Sequence, residues 1–336
     1  MDVLDWLLDS DAAIRWQVLS DLADAPEEVV AAERARVARE GWGARLLALQ
    51  GDDGQWAGGA CFPGTYWSDM PAEEQAARES AWEQVWTESP QADDDAEQPW
   101  TATLPTLEVL RDLGIDPQDP TVRRAIAGVR AGCRWEEGGQ PFFDGEVEAC
   151  INGRTVALGS YFGEPVSGIV TRLLGEQLED GGWNCWALYG ARRSSFHSTI
   201  CVLEGLLAHE RATGGSDAAR EARRRAEEYL LSRQLFRRAS TGEVVKPRWL
   251  QLSFPTYWHY DVLRALEYVR AVGGAPGPRV ADAVEVVRSA RQPDGTWLLE
   301  NTHPGATHVQ LDEGDGRPSR WNTLRALRVL RWYDGG

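Results

Sequence analysis

Gln177-Leu-Glu-Asp-Gly181-Gly-Trp183 is the stretch on which the rest of the chain is read. A glutamine closes a helix-like segment, glycine supplies a turn, and a tryptophan follows. The same order occurs at Gln50-Gly-Asp-Asp-Gly54-Gln-Trp56 and at Gln292-Pro-Asp-Gly295-Thr-Trp297. Glycine permits the positive φ needed where a helix ends. The tryptophan can then pack back on that end, its indole N–H seeking an acceptor. Gln234 ends a similar segment, but its turn is longer and lacks the glycine–tryptophan pair. A recurring unit of this kind signals a repeat architecture.

A second signature accompanies each turn. Helices rich in leucine begin at Trp100-Thr-Ala-Thr-Leu104, Cys150-Ile-Asn-Gly153, Phe196-His-Ser-Thr-Ile200, Trp258-His-Tyr-Asp-Val262 and Trp321-Asn-Thr-Leu324. A leucine recurs three residues beyond Leu104, Leu203, Leu263 and Leu324. These helices are apolar on most faces, which marks them as buried. Their partners, near Val30–Gln50, Thr121–Cys133, Glu164–Gln177, Ala218–Gln234 and Arg279–Gln292, carry one apolar stripe beside Arg and Glu and read as outer helices. With the helix at Ala12–Ala23 the pattern predicts an all-α fold, an α/α toroid of about six inner and six outer helices in one domain spanning 1–336. No period-two apolar pattern of any length occurs, so almost no β-sheet is expected.

One segment breaks the period. Residues 61–99 are rich in Glu, Asp, Gln and Ala, hold Trp67, Trp82 and Trp86, and contain Asp93-Asp94-Asp95. They read as an acidic insertion, either a solvated loop or a lid over the ring mouth. The loop Thr302–Pro318, with Asp312, Glu313 and Asp315, is the other lid candidate.

Composition narrows the function. The 336 residues are 43% hydrophobic and carry a formal net charge of −17. Such a surface repels phosphate backbones and anionic lipid, so a nucleic-acid partner is not expected. No run of about 18 apolar residues exists, hence no transmembrane segment is predicted. Five cysteines without a leader-like N-terminus point to reduced thiols in the cytoplasm. Sixteen tryptophans are the outlier. They either fill a core or line an aromatic cavity.

The glutamine–glycine–tryptophan units resemble the QW repeats of squalene and oxidosqualene cyclases. The stretches around Cys150-Ile-Asn-Gly153, Gly181-Gly-Trp183-Asn-Cys185 and Ser195-Phe-His197-Ser-Thr-Ile-Cys-Val-Leu-Glu-Gly205-Leu look like bacterial prenyltransferase/squalene-cyclase repeat proteins. The resemblance covers roughly Trp100 to Trp332. It implies the toroid fold of the terpenoid-cyclase and protein-prenyltransferase group, with ligands entering a central cavity formed by the inner-helix starts. It also implies an enzyme of cyclase or transferase type acting on an isoprenoid or other apolar substrate. The chain departs from both families. The Asp-x-Asp-Asp motif of class II cyclases is absent, and Asp93-Asp94-Asp95-Ala96 does not fit it. Ser195-Phe-His197-Ser-Thr resembles the histidine-bearing helix start that holds zinc in protein prenyltransferases, but the Asp-Gly-Cys ligand pair has no match.

Two constellations at the helix starts carry chemistry. Cys150, Cys185, His197 and His259 are candidate zinc ligands, since thiolate and imidazole are the donors zinc takes. The alternative is that the histidines bond locally and the cysteines pack as small hydrophobes. Trp100, Phe196, Tyr257, Trp258, Tyr260 and Trp321 occupy equivalent starts and form a candidate substrate surface, because aromatic faces stabilise cations; the alternative is packing between inner and outer helices. Asp144, Glu146, Glu148, Asp180 and Asp261 add carboxyls at that end. Asp261, read as one turn into an apolar helix, is the candidate general acid, with a helix N-terminal charge as its alternative. His197 and His259 complete the catalytic candidates. His209, His303 and His308 are expected to be exposed. Three functions remain open: an enzyme acting on an isoprenoid or similar substrate in the central cavity, a zinc-dependent enzyme of different chemistry on the same fold, and a non-catalytic helical-repeat ligand-binding protein.

Overall fold

Each repeat tryptophan is a fastener between an outer and an inner helix. Trp56, Trp183 and Trp297 are wholly buried. Their indole N–H groups donate to the carbonyls of Leu46, Leu173 and Val287 at 2.7, 2.8 and 2.6 Å, closing the C-terminal turn of an outer helix. Their backbone N–H groups donate to the hydroxyls of Thr103, Thr199 and Thr323 at 3.2, 3.1 and 2.9 Å, at the start of an inner helix. The glutamine works sideways. Gln50 Nε2 donates to Gly54 O and to Ala125 O, and Gln177 Nε2 to Gly181 O and to Ala222 O, so each reaches the next outer helix. Gln292 donates instead to the nearby Ala290 O. Gly54 has φ +80, and a Cβ there would meet the Gly128 carbonyl oxygen at 2.2 Å. Close approach and conformation both require glycine.

The computed structural model describes residues 2–66, Glu73 and 98–335. Among these it is mostly helical. The helices are α1 Val3–Leu8, α2 Ala12–Asp21, α3 Glu27–Arg34, α4 Gly41–Leu47, α5 Thr103–Asp112, α6 Pro120–Gly132, α7 Ala149–Phe162, α8 Ser167–Gly175, α9 Phe196–Thr213, α10 Asp217–Leu231, α11 Val262–Val272, α12 Ala281–Ser289 and α13 Arg320–Gly335. Trp297–Leu298 and Pro318–Ser319 form one short antiparallel pair. None of the described helices is long and apolar enough to cross a membrane. The outer segment expected over Val30–Gln50 is broken into α3 and α4; Glu40 adopts an extended backbone immediately before α4.

The buried helices follow one another by contact: α5 packs on α7, α7 on α9, α9 on α11, α11 on α13, and α13 on α2, while α4 touches both α2 and α5. The amphipathic helices α8, α10 and α12 lie against α7, α9 and α11 respectively. The tightest crossing is α7 on α9, where a Cβ on Gly205 would meet the Gly153 carbonyl oxygen at 2.3 Å.

Charge runs through the middle of these helices. Arg154 on α7 forks onto Glu108 on α5, through Nε to Oε1 at 2.6 Å and through Nη2 to Oε2. Arg264 on α11 pairs with Glu204 on α9 at 2.7 Å, Arg325 on α13 with Glu267 on α11 at 2.5 Å, and Arg328 on α13 with Asp21 on α2 at 2.6 Å. Arg154, Glu108, Arg264 and Arg325 are each at most 5% exposed.

The acidic insertion at 61–99, with Trp67, Trp82, Trp86 and Asp93-Asp94-Asp95, lies outside the described residues except at its two ends and Glu73. Beyond it the chain is anchored: Gln98 N donates to Pro304 O at 3.3 Å and Trp100 N to Ala306 O at 2.8 Å.

Candidate functional site

The close approach of α7 and α9 brings two cysteines together. Cys150 is the second residue of α7, and Cys185 opens a 3-10 turn, Cys185–Tyr189, ahead of α9. The Cys150 N–H donates to Cys185 Sγ at 3.2 Å, and the Ser198 hydroxyl donates to the same sulfur at 3.2 Å. Cys185 N–H returns a bond to Ser198 Oγ at 3.1 Å. The Cys150 thiol donates to Glu148 Oε2 at 3.4 Å. Its hydrogen bond with Cys185, and then burial, hold its pKa well above the ordinary thiol value.

Glu148 is placed by its own loop. Asn152 accepts from Glu146 N at 2.8 Å and donates to Glu146 O at 2.7 Å, and Glu148 N donates to Glu146 Oε2 at 2.7 Å. Ligand atoms of Glu148, Cys150 and Cys185 lie within 4.8 Å of one another. One ion with bonds of about 2.0–2.3 Å reaches atoms that far apart after small side-chain adjustments.

The expected four-ligand set is therefore divided. Cys150 and Cys185 meet, but His197 and His259 are not in their group, and Glu148 takes a place that the sequence reading gave to an imidazole. The reason is ring packing. His259 stacks on Trp258 at 3.7 Å and on His303 at 3.5 Å, between ring centroids. His197 abuts Trp258 and Trp249 edge-on at 5.2 and 5.4 Å, and its Nδ1 accepts from Tyr260 N at 2.8 Å. A neutral His197 thus carries its proton on Nε2. Burial, reinforced by His303 and His197, lowers the His259 pKa well below 6.5, so it is neutral at pH 7. His197 immediately precedes Ser198 in the sequence, but the recorded ring contacts of the imidazoles are with Trp258, Trp249 and His303, not with the cysteine pair.

Other expectations need correction. Asp261 is not one turn into α11 but its N-cap. It accepts from Arg264 N at 2.7 Å and from the Ser253 hydroxyl at 2.7 Å. That is the capping role of an aspartate, and it occupies the carboxylate. Phe196 and Tyr260 pack with Tyr229 and Trp249 in the core rather than against open space. Trp321 is 1% exposed and stacks on Phe254 at 4.4 Å. Trp258 is half-buried, with its indole N–H on Gln98 Oε1 at 3.3 Å. His303 is buried, and His308 is half-buried, bonded to Thr101 O at 2.7 Å. His303 lies in a loop without helical period, so its stacking had no periodic signal.

Trp100 and Tyr257 do face a cavity. They stack at 4.0 Å and help to line a space of about 160 Å³ between α5, residues 254–257 and residues 299–314.

No protein-family model matches the chain, and no curated protein matches it. Among solved structures it is similar to the type II terpene cyclase MstE from Scytonema. A ligand-free variant of that enzyme is 16% identical over 89% of this chain and 95% of the other, with a TM-score of 0.34. A second variant, in complex with geranylgeranyl dihydroxybenzoate, is 16% identical over 89% and 96%, with a TM-score of 0.33. The likeness is long but loose, and the chemistry must be read from this chain's own residues.

Proposed function

We propose that the chain is an α/α toroid whose inner-helix starts hold zinc, and that it is a zinc-dependent enzyme rather than an isoprenoid cyclase. The convergence of Glu148, Cys150 and Cys185 carries this reading. Two thiolates and a carboxylate would hold the ion. With three protein ligands, zinc keeps a position open for water or substrate and supplies Lewis acidity there. Ser198 and the Cys150 N–H would orient Cys185, as outer hydrogen bonds do for metal ligands. The toroid itself is supported by the closed succession of buried helices and by the repeated glutamine and tryptophan fasteners. All five cysteines are unpaired thiols, in keeping with a reducing, cytoplasmic setting.

An isoprenoid in a central cavity asks for a wide apolar middle. The inner helices instead meet through Arg154–Glu108, Arg264–Glu204 and Arg325–Glu267. Ligand pockets commonly enclose about 300–1,000 Å³, and the cavity beside Trp100 is about 160 Å³. Both observations weigh against the isoprenoid reading.

Elemental analysis of protein purified without chelator tests it. About one zinc per chain is expected, lost in Cys150→Ala and in Cys185→Ala and weakened in Glu148→Gln. Zinc-free wild-type protein that takes up none on titration, or full zinc in both cysteine variants, would overturn the proposal.

A further inference from the structure

The cavity beside Trp100 has a composition that selects its occupant. Trp100, Phe254, Tyr257, Val309 and Leu311 supply apolar and aromatic wall, and Asp312 sits among them. Of the lining residues Asp312 alone carries a formal charge. His308, the other ionisable group besides the Tyr257 phenol, has its pKa lowered by burial and is neutral at pH 7. Asp312 accepts from the Ser319 hydroxyl at 2.7 Å and from Arg320 N at 3.0 Å. A carboxylate offers about four acceptor sites, so these bonds leave room for a further donor. The Arg320 guanidinium forms no ion pair with Asp312: it lies over the Trp6 ring at 4.6 Å and donates to Trp6 O. Among the described residues no cation pairs with Asp312. Burial pushes its pKa up to about 6, and its bonds from Ser319 and Arg320 N and the Arg320 charge only partly offset this.

We propose that this pocket binds a small organic cation, a protonated amine on an apolar or aromatic body of roughly benzene size, with Asp312 pairing to the nitrogen. The size follows from volume, since an apolar cavity of about 150 Å³ holds benzene and this one measures about 160 Å³. The sign of charge follows from Asp312, and the aromatic wall suits a cation's flank. None of its lining residues belongs to the Glu148, Cys150 and Cys185 group.

Calorimetric titration with benzylamine, benzyl alcohol and benzoate at pH 7.5 tests the proposal. Benzylammonium should bind saturably, about tenfold or more tighter than benzyl alcohol, as a charge-assisted hydrogen bond predicts, and benzoate should not bind. Asp312→Asn, which can still accept at the cap, should abolish that preference while leaving benzyl alcohol within about twofold. Val309→Phe, which fills the pocket, should weaken both ligands. Equal affinity for amine and alcohol in the wild type, amine binding indifferent to Asp312→Asn, or amine binding indifferent to Val309→Phe would each overturn it.

Discussion

Replacing Glu108 by methionine strands Arg154. The guanidinium is 2% exposed and both of its recorded side-chain bonds go to the Glu108 carboxylate. Removing one partner of a buried pair costs about 3–5 kcal/mol, because the other charge stays desolvated and unpaired. Unfolding entropy of about 2.1 cal/mol/K per residue, over this chain, gives about 0.7 kcal/mol per kelvin. The loss should therefore lower Tm by about 4–7 °C. Arg154→Met should cost a similar amount. The double variant Glu108→Met/Arg154→Met should recover to within about 1 kcal/mol of wild type or exceed it, since a packed apolar pair matches a buried ion pair. Scanning calorimetry on the four proteins closes the cycle. A loss below about 1 °C in Glu108→Met, or a double variant that loses the sum of the singles, would refute the idea that desolvated pairing holds α5 to α7.

Gln177→Ala should cost more than Gln292→Ala in urea unfolding. Gln177 donates to two carbonyls and accepts from Arg225, worth about 2–3 kcal/mol together, whereas the single short-range bond of Gln292 is worth about 1 kcal/mol; equal losses would contradict the tie between α8 and α10. His259 adds acid sensitivity. Its folded pKa is lowered from 6.5, so below pH 6.5 the unfolded chain binds more protons and stability falls with pH until the folded pKa is passed. Asp312, raised from 3.8 to about 6, acts in the opposite sense between those values. His259→Phe should therefore flatten the acid limb of Tm against pH relative to wild type, and an unchanged limb would exclude His259 as its source.

The repeat was legible because its chemistry is local. A glutamine, a glycine and a tryptophan within seven residues show where a helix ends, and Trp56, Trp183 and Trp297 each occupy the position that spacing implies. The buried helices were legible from leucine spacing. Pairing across helices was not. Asp261 read as an acid within α11 because the boundary was placed four residues early, at Trp258 rather than Val262. His259 read as a metal ligand because residue type was the only guide, and its stacking partner His303 sits 44 positions away in a loop without period. Cys150 and Cys185 were placed together by their helix starts, but Glu148 came in through a loop held by Asn152, which spacing does not encode.

A further regularity was present in the sequence and becomes intelligible only in the fold. Glu108, Arg154, Glu204, Arg264 and Arg325 put one charge between the third and the ninth residue of each of five successive buried helices. On a single helix each reads as a polar residue spoiling an apolar face. Around the series the first four alternate in sign, so Glu108 meets Arg154 and Glu204 meets Arg264. Arg325 breaks the alternation and finds Glu267 one turn along α11 instead. Such pairs add little net stability over apolar packing, yet each ion pair forms only between particular neighbours. A helix docked out of order would bury like charges together. The order of the buried helices thus rests in part on which charge each one offers its neighbour.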